Sequence, residues 1–167
     1  MPIGFKNATD GKLQSAIDAI KAASSAHCFL GIDRSGRVVI AETRGNQYGH
    51  VVMRGGKDGP NYGEEYVAFT EALLRRSGIE NGIMIDCSHD NANKDHRLQG
   101  AVCRDVIRQL QAGNSRIVGL MLESFLNAGK QPFGTPANLQ YGVSVTDSCL
   151  GWEETEGLIR ELAGISR

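Results

Sequence analysis

Three side chains capable of binding ions stand directly after short, mainly apolar runs of this sequence: Arg54, His89 and Glu123. Arginine presents a planar fork of donors that suits phosphate oxygens, whereas imidazole and carboxylate groups are ligands for divalent metals. Parallel strands buried on both faces produce such apolar runs, and β/α barrels carry their active sites at the carboxyl ends of those strands. The pattern therefore predicts a metal- or phosphate-binding site at that end of a parallel sheet.

The predicted metal ligands are His89, Glu123 and Asp147. His89 and Glu123 end consecutive predicted strands, so we expect both on one rim, while Asp147 ends a long loop that can fold over that rim. The set suits manganese, iron, cobalt or zinc. Each residue alone also has an ordinary explanation, because strand-end histidines often hydrogen-bond loops and carboxylates are commonly solvated. Asp86 is a candidate for orienting the His89 imidazole.

Lys6 and Arg54 are the predicted phosphate-binding cations, since both stand where strands should end. They could equally be surface cations or ion-pair partners of Asp86 and Glu123. The glycines that follow Arg54, at 55 and 56, would let a ligand approach the backbone and so favour binding. We assign structural roles to the other strand- and helix-end candidates: His27, His50, His96, Cys87 and Trp152.

Composition excludes several classes of partner. The chain has 167 residues, with 18 Lys and Arg against 19 Asp and Glu, so no overall charge attracts nucleic acid or an anionic membrane. No apolar stretch reaches the roughly 18 residues of a membrane span. The four cysteines lack CxxC spacing, which argues against a disulfide framework or zinc knuckle and favours a reducing, cytoplasmic setting.

The elements that would position these residues alternate between strands and helices. Apolar runs predict strands at residues 2–7, 51–54, 83–88 and 117–123. A helix-period pattern follows each strand, at residues 13–23, 64–76, about 96–113 and 153–163. Residues 28–32 and 38–41 predict an inserted β-hairpin. The result is a single α/β domain over residues 1–167, with four strand/helix units plus the hairpin, which is half of an eight-stranded barrel.

The long segment after Glu123 contains Pro132, Gly134, Pro136 and Gly142 and predicts no regular element. Loops this long in compact domains are usually functional or disordered.

Several motifs in chain order resemble the type I class of 3-deoxy-D-arabino-heptulosonate 7-phosphate synthases (DAHP synthases, also called phospho-2-dehydro-3-deoxyheptonate aldolases). They cover nearly the whole chain and are specific. The motifs are GFKN (4–7) with TDG (9–11), HCFL (27–30), RGGK (54–57) with PNY (60–62), MIDCSH (84–89), LES (122–124), and YGVSVTD (141–147) with GWE (151–153).

The resemblance implies a (β/α)8 TIM barrel and a transferase of aromatic amino acid biosynthesis. It implies condensation of phosphoenolpyruvate with erythrose 4-phosphate, the first step of the shikimate pathway toward chorismate. Matched motif by motif, it implies that Lys6 and His89 are catalytic, that Lys6 and Arg54 contact phosphoenolpyruvate, and that His89, Glu123 and Asp147 are three of four metal ligands.

The resemblance covers only the C-terminal portion of the family. The N-terminal half of the barrel is absent, and with it a cysteine metal ligand and a Lys-Pro-Arg-Thr-Thr motif that serves both substrates. We therefore expect the chain to be inactive alone, with an incomplete metal site. Because four parallel strands leave two open edges, we expect it either to form a homo-oligomer or to pair with a separate N-terminal portion.

Two other functions remain open at this point. The chain could be a non-catalytic half-barrel that acts as a structural or interaction module. It could also belong to another metal-dependent aldolase, since one fold supports many reactions, although the order of the motifs argues against this.

Overall fold

The computed structural model describes residues 1–165, so the last two residues of the predicted domain lie outside the described part. Strands and helices alternate along most of this length. The strands are β1 (Ile3–Lys6), β2 (His27–Ile32), β3 (Val38–Thr43), β4 (Gly49–Met53), β5 (Ile83–Asp86) and β6 (Ile117–Met121). The helices are α1 (Gln14–Ser24), α2 (Glu64–Arg76), α3 (His96–Gln111) and α4 (Trp152–Ala163), with single 3-10 turns at His89–Ala92 and Pro136–Asn138.

A four-stranded parallel sheet organises the chain, in the order β1-β4-β5-β6. The predicted α/β class, with a parallel sheet and helices, is confirmed. The two central strands are almost entirely buried, which explains why they read as continuous apolar runs. The outer strands β1 and β6 are more exposed. All four strands point the same way, so their carboxyl ends meet at one edge.

The helices cover the sheet with apolar faces of period 3.6. Each contributes buried side chains to one core with the strands: Ala16, Ile17 and Ile20 from α1, Val67 and Leu74 from α2, Val102, Cys103, Val106 and Ile107 from α3, and Leu158 from α4. Helix α3 begins at the N-cap Asp95, whose side chain accepts a hydrogen bond from the Arg97 backbone N–H. This cap fixes the start of α3 just after the end of β5.

Strands β2 and β3 form a separate antiparallel pair, from His27 opposite Thr43 to Ile32 opposite Val38. The Asp33 carboxylate orders the connection by accepting from the backbone N–H groups of Ser35 and Arg37. The pair exposes a row of apolar side chains: Leu30, Ile32, Val38 and Ile40.

The long segment between β6 and α4 is ordered by isolated bridges rather than by helices. Ser124 bridges Leu150, Gly129 bridges Cys149, and Lys130 bridges Ser144. The Leu150 N–H also donates to the Glu123 carbonyl at 2.9 Å. The chain thus doubles back on itself, and Asp147 returns to the end of β6.

Within residues 1–165, none of the helices combines the length and the apolar character needed to cross a membrane.

Candidate metal and anion site

A cleft of about 380 Å3 opens at the carboxyl ends of the central strands. Its walls come from the residues after β4, β5 and β6, the start of α3 and the returning loop. Charged side chains dominate the lining: Arg54, His89, Lys94, Asp95, Glu123, Lys130 and Asp147. Four of the five sequence-predicted site residues line this cleft, and the fifth, Lys6, contacts Asp86 at the end of β5.

His89, Glu123 and Asp147 form the one group within residues 1–165 that could hold a metal ion. One ligand atom from each lies within 4.8 Å of the others. His89 Nε2 is 3.9 Å from Glu123 Oε1 and 3.7 Å from Asp147 Oδ2. The structure thus brings the three predicted ligands together. The loop closure inferred for Asp147 is also present.

The His89 imidazole is held by its other ring nitrogen. Nδ1 lies 2.8 Å from Asp86 Oδ2 and 2.7 Å from Ser88 Oγ. The Ser88 hydroxyl donates its own proton to Asp86 Oδ1 at 2.8 Å, so Nδ1 carries the proton on the imidazole. Nε2 is therefore the ring nitrogen that faces the two carboxylates, and in the neutral imidazole it carries the lone pair that a metal needs.

His89 also has a strained backbone, with φ at +49°. A residue with a side chain rarely adopts this left-handed region, and such strain costs about 1–3 kcal/mol. The tight turn that begins at His89 keeps the imidazole over the cleft.

Asp86 links the imidazole to Lys6. Its side chain is fully buried, and Oδ2 lies 2.9 Å from Lys6 Nζ. Burial alone would raise the pKa of Asp86, but hydrogen bonds from Lys6 and Ser88 outweigh burial and hold the pKa below its ordinary value. The carboxylate therefore stays ionised and acts as the shared partner of a lysine and a histidine.

Lys6 is thus in the ion pair that we considered as the alternative to phosphate binding. Its side chain is 36 % exposed while the ammonium contacts Asp86. The pair orients Lys6 but leaves donors on the ammonium for another anion.

Arg54 is more enclosed, at 13 % side-chain exposure. Its Nη1 lies 3.1 Å from Asp90 Oδ2 but makes no hydrogen bond within the described residues. A buried guanidinium donor without a hydrogen bond is costly. Because Arg54 lines the cleft, an anion bound there would supply the missing acceptor.

Three buried asparagines fix the backbone around Arg54, and our sequence analysis did not identify them. Asn7 accepts from the Arg54 N–H, and Asn61 accepts from the Gly55 N–H, both at 2.8 Å. Asn91 accepts from the Asn61 N–H at 2.8 Å and donates to the Asp86 carbonyl at 2.8 Å. These amides tie the ends of β1, β4 and β5 together. Only Asn7, directly after β1, had a position in the sequence that could have indicated such a role.

His96 and Gln99, at the start of α3, also line the cleft. His96 Nδ1 lies 2.7 Å from Ser148 Oγ, and the structural role that we predicted for His96 stays a prediction. Gln99 is a buried polar residue inside an apolar helix face, which is the signal that sequence reasoning passed over.

The donor set fits a borderline divalent ion. Ligands at about 2.0–2.2 Å from one metal lie roughly 3–4 Å apart, and the two measured separations fall in that range. Within residues 1–165 no cysteine joins the group. Cys149 lies nearby in sequence, but burial raises the pKa of its thiol. Three ligands leave further coordination positions for a group from outside these residues.

Comparison with known proteins identifies the same family that the sequence motifs resemble. The family model described as "DAHP synthetase I family" matches residues 1–160. The Tyr-sensitive phospho-2-dehydro-3-deoxyheptonate aldolase of Enterobacter agglomerans is 50% identical over 163 residues, which cover 97% of this chain and 76% of that protein. The Tyr-sensitive enzyme of Escherichia coli (strain K12) is 48% identical over 163 residues, 97% of this chain and 46% of that protein.

A solved structure agrees with these sequence matches. Phospho-2-dehydro-3-deoxyheptonate aldolase from Francisella tularensis SCHU S4 superposes with a TM-score of 0.90 at 46% identity, covering 96% of this chain and 47% of that one. The chain therefore spans about half the length of the E. coli and Francisella proteins.

Proposed function

Because the chain belongs to the DAHP synthetase I family, we propose that it is the C-terminal portion of a DAHP synthase. The complete enzyme would condense phosphoenolpyruvate with erythrose 4-phosphate to give 3-deoxy-D-arabino-heptulosonate 7-phosphate and phosphate. The observation that carries the proposal is the cluster of His89, Glu123 and Asp147 in a cleft shared with Arg54. This arrangement supports the proposal, because a phosphorylated substrate bound there would need a cation site beside an anion site.

The four parallel strands would be the C-terminal half of a (β/α)8 barrel. Within residues 1–165, β1 and β6 each pair with one neighbouring strand in the sheet. Their outer edges therefore carry backbone donors and acceptors that need partners. A separate N-terminal portion, or a second copy of the chain, would supply the missing strands.

His89, Glu123 and Asp147 would hold a divalent ion, which could be manganese, iron, cobalt or zinc. Held by these three residues, such an ion would supply Lewis-acid polarisation of the aldehyde of erythrose 4-phosphate. Asp86 and Ser88 keep the His89 ring in the tautomer that leaves Nε2 free. The cysteine ligand that the family resemblance implies would come from the N-terminal portion.

Arg54 and Lys6 would bind phosphoenolpyruvate. Arg54 lines the cleft, and its buried Nη1 makes no hydrogen bond within the described residues. Charge-assisted hydrogen bonds to phosphate are among the stronger polar contacts. Lys6, held by Asp86, would place a second positive charge at the same rim. Together they would orient the enol carbon toward the aldehyde and stabilise the phosphate that leaves after water adds at the phosphate-bearing carbon.

The direct test is a phosphate-release assay with both substrates and manganese, run on the chain with and without an added N-terminal portion of a relative. We expect no turnover by the chain alone and turnover on mixing, with His89→Ala abolishing the mixed activity. Turnover by the chain alone would refute the need for the missing half. No turnover on mixing, with no manganese binding, would favour the non-catalytic module.

A further inference from the structure

The side-chain amide of Gln99 makes hydrogen bonds to both backbone polar groups of Glu123. Gln99 lies in α3 and is 1% exposed. Its Oε1 accepts from the Glu123 N–H at 2.9 Å, and its Nε2 donates to the Glu123 carbonyl at 3.2 Å. Glu123 lies just beyond the end of β6. The Gln99 amide satisfies its backbone N–H and carbonyl as a neighbouring strand would.

The same amide also contacts the loop that carries Asp147. Nε2 of Gln99 donates to the Ser148 carbonyl at 3.4 Å. One buried side chain therefore connects the backbone of one carboxylate ligand to the residue next to the other. All of its hydrogen-bonding capacity inside the protein is directed at these two segments.

His96 reinforces this arrangement from the same face of the helix. Residues three apart on a helix are neighbours, and His96 Nδ1 lies 2.7 Å from Ser148 Oγ. The first turn of α3 thus holds the Asp147 loop at two points. Because α3 follows the His89 turn directly, all three ligand segments are fixed to the start of one helix.

We propose that Gln99 is a positioning residue that sets the spacing of the Glu123 and Asp147 carboxylates so that both can share an ion with His89. The inference rests on the metal site of the proposed function. Partners that orient ligands without touching the metal commonly change its affinity by about 10–100-fold, and Gln99 acts on two ligands at once.

The competing explanation is that Gln99 only stabilises the fold, as any buried amide with satisfied hydrogen bonds would. The chain provides a control in Gln109, a second buried glutamine further along α3 that is 2% exposed, although its Oε1 makes no hydrogen bond within the described residues. Gln109 donates to the Tyr62 carbonyl at 2.8 Å and to Asp105, outside the cleft. The same substitution at the two positions separates a loss of fold stability from a loss of ligand spacing.

The experiment compares Gln99→Met with Gln109→Met, since methionine keeps the volume and removes the amide. Manganese affinity is measured from the spin-resonance signal of free Mn2+, and the visible spectrum of bound Co2+ reports the coordination geometry. We expect Gln99→Met to weaken manganese binding by about tenfold or more and to change the cobalt spectrum. Gln109→Met should stay within about twofold of the parent, with its spectrum unchanged.

Equal affinities for Gln99→Met and the parent, or equal losses in both glutamine variants, would overturn the inference while leaving the metal site in place. If the parent chain binds no manganese, the proposed site itself is wrong, and the inference falls with it. If circular dichroism shows that Gln99→Met does not fold, Gln99→Asn tests the same contacts, because the shorter side chain withdraws the amide from Glu123 and Ser148 while keeping a neutral polar group at this position. We then expect about a threefold loss of manganese affinity, and unchanged affinity would contradict the inference.

Discussion

Nδ1 of His89 lies 2.8 Å from Oδ2 of Asp86, a fully buried carboxylate that also contacts Lys6 at 2.9 Å. This relationship decides which nitrogen of His89 faces the cleft. Asp86 also connects Lys6, at the end of β1, to the proposed metal ligand His89 after β5. It therefore links the proposed anion-binding and metal-binding parts of the site.

We expect Asp86→Asn to weaken manganese binding by about 10–100-fold, because the imidazole loses the carboxylate that favours its Nε2 lone pair. Metal titration of the purified chain measures this. Asp90→Asn is the charge-matched control, since Asp90 lies 3.1 Å from Arg54 instead. Equal losses in both variants would mean that net charge, rather than orientation of His89, governs affinity.

Arg54→Gln should weaken binding of phosphoenolpyruvate by about tenfold or more, because charge-assisted hydrogen bonds to phosphate are lost. Arg54→Lys should give a smaller loss, since it keeps the charge but not the planar fork. Calorimetric titration of the chain mixed with its N-terminal portion gives the affinities. Arg34→Gln, on the exposed turn between β2 and β3, serves as control, and an effect as large as that of Arg54→Gln would exclude the assigned role.

Gly55→Ala should lower the free energy of unfolding by roughly 3 kcal/mol or more. Gly55 has φ at +76°, and an added Cβ would lie 2.6 Å from the Asn91 backbone nitrogen. Gly36→Ala is the control, since Gly36 has φ at +81° with nothing within 4 Å. It should cost only the left-handed backbone, about 1–2 kcal/mol. Denaturant unfolding that gave equal costs would show that the region around Asn91 relaxes freely.

Asp95 should account for part of the loss of unfolding free energy at low pH. Side-chain and backbone hydrogen bonds from Arg97 lower the pKa of Asp95 to about 2, below the unfolded value of about 3.9. A depressed folded pKa contributes stability above the unfolded value and loses it as the pH falls toward the folded one. The unfolding free energy of Asp95→Asn should therefore change less between about pH 4 and pH 2 than that of the parent. Parallel curves from denaturant titrations in that range would contradict this.

The strands and the site rim were readable from sequence because the central strands are buried on both faces. The apolar runs at β4 and β5 reflect that burial directly, and the residue after each run must lie at one edge of the sheet. The same logic placed Lys6 at the rim. It could not tell whether Lys6 faces a ligand or Asp86, because that choice depends on the register of β1 with β4 and of β4 with β5.

The side-chain amides that support the site could not be predicted from the sequence in the same way. Asn61, Asn91 and Gln99 bind backbone groups of distant segments, so their partners exist only after the chain has folded. His96 looked like an ordinary helix-start residue, since its contact with Ser148 depends on the path of the loop. Single polar residues carry no periodic signal, whereas strands and helices do.

The central claim is that His89, Glu123 and Asp147 share one divalent cation. Manganese affinity of the parent chain and of His89→Ala tests it most directly, with His27→Ala, on strand β2, as the control. The account predicts measurable binding by the parent, a loss of about tenfold or more in His89→Ala, and unchanged binding in His27→Ala. Equal manganese affinity in the parent and His89→Ala, or no binding by the parent, would contradict it.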